Sequence, residues 1–158
     1  MDKKFFSLFF LIFVFSLFLF SYPDVELLGN LTRERILKEC PSWEDEISSY
    51  SPNKEVIEKL RSVDQEVIIE VYLGTWCPDS VRNVSAYFKI MDMVDNPHLT
   101  TKYVGLPRDK DARKPYIKDK NIIRIPTFIV LVNNQEKGRI IENPTRSVEE
   151  DLYEIIKN

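Results

Sequence analysis

The sequence predicts an α/β domain in which a central mixed sheet is flanked by helices, with a helical extension in front of it. Two patterns predict this. The apolar run Val67–Leu73, broken only by Glu70, and the stretch Leu99–Leu106 enclose a segment in which Val81, Val84, Tyr87, Phe88, Met91 and Val94 recur at three- and four-residue spacing. Strand, amphipathic helix and strand then form one right-handed unit with parallel strands. Further on, Phe128–Val132 and Lys137–Ile141 flank Asn133-Asn134, and a second amphipathic segment follows, the pattern of an antiparallel hairpin and a terminal helix.

With 158 residues, the chain has room for one domain plus appendages. Residues 1–22 are the first appendage. Lys3 and Lys4 precede an apolar run from Phe5 to Phe20, the charged and apolar regions of a secretory signal. Sixteen residues at the helical rise span only ~24 Å, short of the ~30 Å hydrocarbon core, which favours a cleaved signal over a stable span. No small-x-small triplet follows, so an uncleaved anchor through residues 5–20 is the alternative. Either way the protein is expected to be exported, to the periplasm or another extracytoplasmic site.

Residues 23–63 read as a linker and helical extension. Tyr22–Gly29 is the linker, and Thr32 can cap a short helix through Glu39 with Ile36 and Leu37 inward. Pro41 stops it. Trp43–Tyr50, and the Val56, Ile57 and Leu60 set after Pro52, suggest two more short helices, with Trp43 a packing residue.

Residues 64–158 hold the sheet. Val67–Leu73 suits a central strand covered on both faces, and the helix after it stops at Asn96-Pro97. The connection from Pro107 to Arg124 is too charged to predict beyond a turn or two. Ser147-Val148-Glu149-Glu150 is a capping-box sequence, and Val148, Leu152, Ile155 and Ile156 give the terminal helix one apolar face.

Chemistry concentrates at Gly74-Thr75-Trp76-Cys77-Pro78-Asp79-Ser80, directly after the first strand. A buried strand that turns and opens a helix places Cys77 at the helix N-terminus, where unpaired N–H groups and the positive dipole end favour a thiolate over a thiol. Pro78 suits the first helical position because its missing N–H would be unpaired there. Ser80 lies one helical turn on, near enough for its hydroxyl to donate to the Cys77 sulfur.

Trp76-Cys77-Pro78-Asp79-Ser80 resembles the Trp-Cys-x-x-Cys signature of thioredoxins, with serine in place of the second cysteine. Ile125-Pro126-Thr127 before Phe128–Val132 resembles their cis-proline segment. The resemblance covers roughly residues 64–158 and implies the thioredoxin fold. The whole pattern resembles an exported bacterial subgroup with Gly-Thr-Trp-Cys-x-Asp-Ser in place of the dithiol. It implies that Trp76, Pro78, Ile125, Pro126 and Thr127 line a groove for an extended substrate segment, with a cis Ile125–Pro126 bond presenting the Ile125 backbone.

Thioredoxins reduce disulfides in two steps, and Ser80 cannot perform the second. A single Cys77 can still attack a disulfide or accept glutathione, with another thiol resolving the product. The expected partners are therefore protein thiols or disulfides, or glutathione. Many thioredoxins also place a buried carboxylate six residues before the nucleophile; Val71 stands there, and Glu70 points to the other face of its strand. These two departures favour the rival reading, a non-catalytic module that keeps the groove for extended peptides; retention of the helix-start cysteine after Trp76 favours thiol-disulfide exchange, which is the function expected here.

Other classes are poorly supported. The formal net charge is −3, a poor match to nucleic acid. Arg108–Lys120 carries six Lys/Arg with Asp109, Asp111 and Asp119 and reads as a solvated loop; the alternative is that it flanks the site and steers an acidic partner. His98 is the only histidine, so with two dispersed cysteines there is no zinc set, and no cofactor is expected. The spacing needed for a peroxiredoxin-type peroxidase is absent around Thr75 and Gly74. The sequons at Asn30 and Asn83 read as chance. Cys40, in the extension, is expected to stay apart from Cys77: residues 32–61 should pack near the start of the first core strand, roughly 20 Å from its far end at ~3.3 Å per residue.

Overall fold

The computed structural model describes residues 25–158; the expected signal or anchor at residues 1–22 lies outside them. Its centre is β2 (Val67–Leu73). Every residue of β2 pairs in parallel with β3 (Leu99–Gly105), from Val67 opposite Leu99 to Leu73 opposite Gly105. On its other side β2 runs antiparallel to β4 (Thr127–Val132), which pairs with β5 (Gln135–Ile141). Asn133 and Asn134 make the hairpin turn with φ of 51° and 64°, the left-handed values that a tight antiparallel turn demands and that asparagine tolerates well.

The outermost strand is one the sequence reading assigns in part to a linker. β1 (Gly29–Leu31) runs antiparallel to β3 and completes the order β1-β3-β2-β4-β5. Three residues leave almost no periodic signal. The strand depends on Gly105, where a Cβ would strike the Leu27 backbone.

Among the described residues the helices are α1 (Arg33–Glu39), α2 (Trp43–Ser49), α3 (Lys54–Arg61), α4 (Pro78–Val94), the single turn α5 (Lys114–Ile117) in the charged connection, and α6 (Val148–Ile156). Thr32, Asn53 and Ser147 cap α1, α3 and α6 with side-chain oxygens on backbone N–H groups, which satisfies donors that have no partner inside the helix. Most of the helical surface packs on one face of the sheet. There Ile69, Val71, Phe128 and Val130 meet Tyr87, Phe88 and Ile90 of α4 together with Ile36, Trp43, Ile57 and Leu152. The Phe88 ring lies 6.1 Å from Trp43 and 5.4 Å from Tyr103, centroid to centroid. Tyr87 is fully buried, and its hydroxyl is 2.6 Å from that of Thr101; burial pushes its phenol well above the ordinary value.

The other face is covered by the long connection 106–126, which contributes Leu106, Ile122 and Ile125 to a smaller cluster with Tyr72 and Ile129. Glu70 lies on this face, as the strand alternation requires, and pairs with Lys120 at 2.9 Å. The connection is thus charged outside and apolar beneath, and forms only a 3₁₀ turn at Asp111–Arg113 before α5.

Two buried side chains fasten the extension. Asn96 donates to the carbonyls of Leu60, Arg61 and Val63 at 2.8–3.1 Å and accepts from the His98 N–H at 2.9 Å. Glu149, only 2% exposed, accepts from the Tyr50 hydroxyl at 2.7 Å and from the Asn53 N–H at 2.9 Å. The Asn96 contacts hold the end of α3 near the start of β2, where the sequence reading puts the whole of residues 32–61. The turn between α1 and α2 departs from that reading: Cys40, Pro41 and Ser42 lie at the opposite end, in one cleft with Trp76 and Pro78. The cause is α2, which packs along α4 and so carries the preceding turn toward the N-terminus of that helix.

Replacing Asn96 with alanine removes the donors for three carbonyls and the acceptor for one amide. At ~1–3 kcal/mol for a buried polar group left without a partner, Asn96→Ala should lower unfolding stability by about 2–3 kcal/mol. Urea denaturation should show a lower midpoint with an unchanged slope.

Candidate active site

β2 ends at Leu73, and its carbonyl accepts from the Leu106 N–H at 2.8 Å. The chain then makes a turn in which Cys77 N–H returns to the Gly74 carbonyl at 2.9 Å. Cys77 is the N-cap of α4, with extended backbone (φ −95°, ψ 120°), and its carbonyl accepts from Val81 N–H at 2.9 Å. This is the helix-start position expected from Pro78. The residue is partly exposed, and its thiol donates to the Ile125 carbonyl at 3.8 Å. The Ile125–Pro126 peptide is cis, as the resemblance implies.

Gly74 is required by close approach. A Cβ there would lie 2.7 Å from the Trp76 ring and 2.9 Å from the Ile125 side chain. Its N–H donates to Ser80 Oγ at 3.1 Å, and Ser80 is fully buried. This corrects the expected hydrogen bond from Ser80 to the Cys77 sulfur: the hydroxyl serves the turn, and the thiol faces the other way, toward Ile125. Thr75 fastens the start of the described chain by accepting from Leu27 N–H at 3.1 Å and donating to the Val25 carbonyl.

The expected groove residues take different parts. Trp76 and Pro78 are accessible, and Ile125 contributes its carbonyl to Cys77. Pro126 is buried, with its own carbonyl accepting from Glu142 N–H at 2.7 Å. Thr127 is 1% exposed, and its hydroxyl donates to the Arg124 carbonyl at 2.6 Å, so it shapes the bend from beneath rather than lining the groove with its side chain. On the far side of α4's first turn, Arg82 bridges Asp79 and Asn143 at 2.7 Å each, and Asn83 donates to the Glu142 carbonyl at 2.7 Å. These contacts tie the helix start to the segment after β5.

Two features of the site escape sequence reasoning. The first is Cys40, which helps to line an open cleft of ≈ 780 Å³ with Trp43, Trp76 and Pro78. Cys40 and Cys77 are both thiols, and the turn that holds Cys40 shares a cleft with Trp76 and Pro78, the neighbours of Cys77, rather than lying at the opposite end of the strand. The second is the basic connection. Trp76 donates from its indole to the Leu106 carbonyl at 3.0 Å, and the guanidinium carbons of Arg108 and Arg113 lie 5.0 and 5.7 Å from its ring centroid. Arg113 is only 6% exposed and donates to the carbonyls of Pro107 and Arg108 at 2.8 and 3.1 Å. The solvated-loop reading of residues 108–120 therefore fails at Arg113. The mixed charges of the segment conceal which arginine turns inward.

Among the described residues no group of acidic, cysteine and histidine side chains could hold a metal ion, and no helix is long and apolar enough to cross a membrane. No curated protein matches the sequence. Two solved structures are similar in fold. One is a protein of unknown function from Pseudomonas aeruginosa, with a TM-score of 0.55 at 15% identity over 85% of this chain and 93% of that one. The other is an HIV epitope-scaffold protein, with a TM-score of 0.56 at 16% identity over 82% of this chain and 88% of that one. A thioredoxin family model matches residues 36–153, from within α1 to within α6. With that match spanning most of the chain, and with the β1-β3-β2-β4-β5 sheet, the Trp76-Cys77 helix start and the cis bond before Pro126, the protein belongs to the thioredoxin family and has its fold.

Proposed function

We propose that this protein is an exported thioredoxin-like protein that exchanges thiols and disulfides with partner molecules through Cys77 as a monothiol. One observation carries the reading: a partly exposed thiol sits at the N-cap of α4 against the carbonyl before the cis proline, while the position of a second thiol is held by a buried serine. In the proposed step, the Cys77 thiolate attacks one sulfur of a partner disulfide. A new S–S bond forms, the old one breaks, and the leaving sulfur departs as a thiolate that takes a proton from water. A thiol of the partner or glutathione then attacks the mixed disulfide and frees Cys77. Export rests on the charge and apolar pattern of residues 1–22.

The binding-module reading has its own support. Val71, and not a carboxylate, stands buried six residues before Cys77. Trapping separates the two readings: mixed disulfides at Cys77 should be recovered from the exported fraction with the natural protein and disappear with Cys77→Ser. Recovery of the same partners, non-covalently and in equal yield, with Cys77→Ser would establish the binding module instead.

Two substitutions at Ser80 test its part. Ser80→Cys should create insulin-type disulfide reductase activity that the natural protein lacks. Equal activity in both proteins would mean that Cys40, across the Trp76–Pro78 wall, already resolves the mixed disulfide. Ser80→Ala should lower stability by about 1–3 kcal/mol, because the Gly74 N–H loses its buried acceptor, while Cys77 still forms mixed disulfides. Loss of mixed-disulfide formation in a folded Ser80→Ala protein would return the hydroxyl to a direct role at the sulfur.

A further inference from the structure

Arg113, in the 3₁₀ turn Asp111–Arg113, is only 6% exposed, and among the described residues no carboxylate pairs with it. Burying a guanidinium in this way costs free energy that an apolar side chain of similar size would not cost. What offsets it is local. The Nε donates to the Pro107 carbonyl at 2.8 Å and an Nη to the Arg108 carbonyl at 3.1 Å, while the guanidinium carbon lies 5.7 Å from the Trp76 ring centroid. Trp76 in turn donates from its indole to the Leu106 carbonyl at 3.0 Å. The carbonyls of residues 106, 107 and 108 are thus engaged by one indole and one guanidinium that are themselves in cation–π contact.

This block is joined to the Cys77 turn in two places. The Leu106 N–H donates to the carbonyl of Leu73, the last residue of β2, at 2.8 Å. The indole lies so close to Gly74 that a Cβ there would sit 2.7 Å from it, and Cys77 directly follows Trp76. An apolar residue at position 113 would fill the space but leave the Pro107 and Arg108 carbonyls without these donors and the ring without its cation. Arginine serves all three because its guanidinium is planar, with donors along its edge and a flat face for the ring.

We propose that Arg113 is a positioning residue for thiol-disulfide exchange and acts on Cys77 through Trp76. Held by the guanidinium, the Leu106 carbonyl and the close approach of Gly74, the indole stays on the Leu106 side of the turn, while the thiol is turned toward the Ile125 carbonyl. A partner's sulfur then reaches Cys77 without first displacing the ring. The inference rests on the exchange reading and adds to it a buried residue that sets the access to the thiol. Its covalent step is the one already given: Cys77 joins one sulfur of the partner, and the other leaves as a thiolate.

The test is a double-mutant cycle read at Cys77 by mass spectrometry. The rate of mixed-disulfide formation with a short peptide disulfide is measured for the natural protein, Arg113→Met, Trp76→Leu and the double variant, each checked for folding by circular dichroism. Arg113→Met should slow the reaction on the order of tenfold when Trp76 is present and should have no effect in the Trp76→Leu background. Equal slowing in both backgrounds would overturn the proposal, because Arg113 would then act on the fold at large. Should Arg113→Met fail to fold, Arg113→Lys, which keeps the cation but loses the planar fork, runs through the same cycle with the same two outcomes. Acrylamide quenching adds a readout that lost stability alone does not move. Trp43 is 1% exposed, so quenching reports Trp76 and should rise in the folded Arg113 variant; an unchanged quenching constant would also overturn the proposal. Alkylation of Cys77 by iodoacetamide separates this inference from the reading it rests on. If no disulfide reacts with the natural protein, yet alkylation shows the same joint dependence on Arg113 and Trp76, the exchange reading falls and the hold on the thiol stands. Exchange in the natural protein with no coupling between the two residues leaves the exchange reading standing and removes the hold.

Discussion

The site depends on one hydrogen bond, from the Gly74 N–H to Ser80 Oγ. It joins the residue after the central strand to the first turn of α4 and is sheltered from water on the Ser80 side. Competition from solvent is weak there, so the bond holds the turn closely. Everything chemically interesting hangs from it. Trp76 lies against Gly74 and reaches the Leu106 carbonyl, Thr75 secures the chain near residues 25–27, and Cys77 is left with its thiol against Ile125. Because Gly74 has no side chain, the indole can lie flat on the turn; the same lack of a side chain would leave the turn loose without the serine. Residue 80, where the resembled motif has a second cysteine, thus supplies a structural acceptor to the turn through its hydroxyl.

Two cores meet at Cys77. The large one lies between the sheet and α4, and fixes the helix axis through Tyr87, Phe88 and Phe128. The smaller one, beneath the connection 106–126, fixes Ile125 and Trp76. Cys77 sits at their seam. It packs against the smaller core beside Ile125, whose carbonyl its thiol meets at 3.8 Å, and heads the helix that the larger core holds.

The fold was legible in the sequence wherever periodicity ran for several residues. The parallel β2–β3 pair, the long α4, the hairpin with its Asn133-Asn134 turn and the Thr32 and Ser147 caps all follow from local pattern, because each pattern reports a face that must be buried or a donor that must be satisfied. Cys77 was legible because a buried strand that turns into a helix places it at the helix start, whereas Trp76 and Pro126 were legible through their resemblance to the thioredoxin motif and cis-proline segment. What escaped depends on contacts between distant segments. β1 exists because Gly105 permits a backbone approach, Ser80 bonds to Gly74 rather than to sulfur, and Arg113 turns inward while its charged neighbours do not. No window of sequence contains those facts.

Cys40 shows the same limit from the other side. The short helices of the extension were readable, but their direction over the sheet was not, since it is decided by how α2 lies along α4 and by Asn96 and Glu149 at the opposite end. Fastening α3 near the start of β2 and letting α2 run back along α4 brings the α1–α2 turn to the rim of the site. The extension is consequently a wall of the site rather than a decoration on the domain. Cys77 follows directly on Trp76, whose ring lies beside Arg108 and Arg113, and on the side of Pro78 it borders a cleft lined by Glu39, Cys40, Trp43, Glu46 and Arg82.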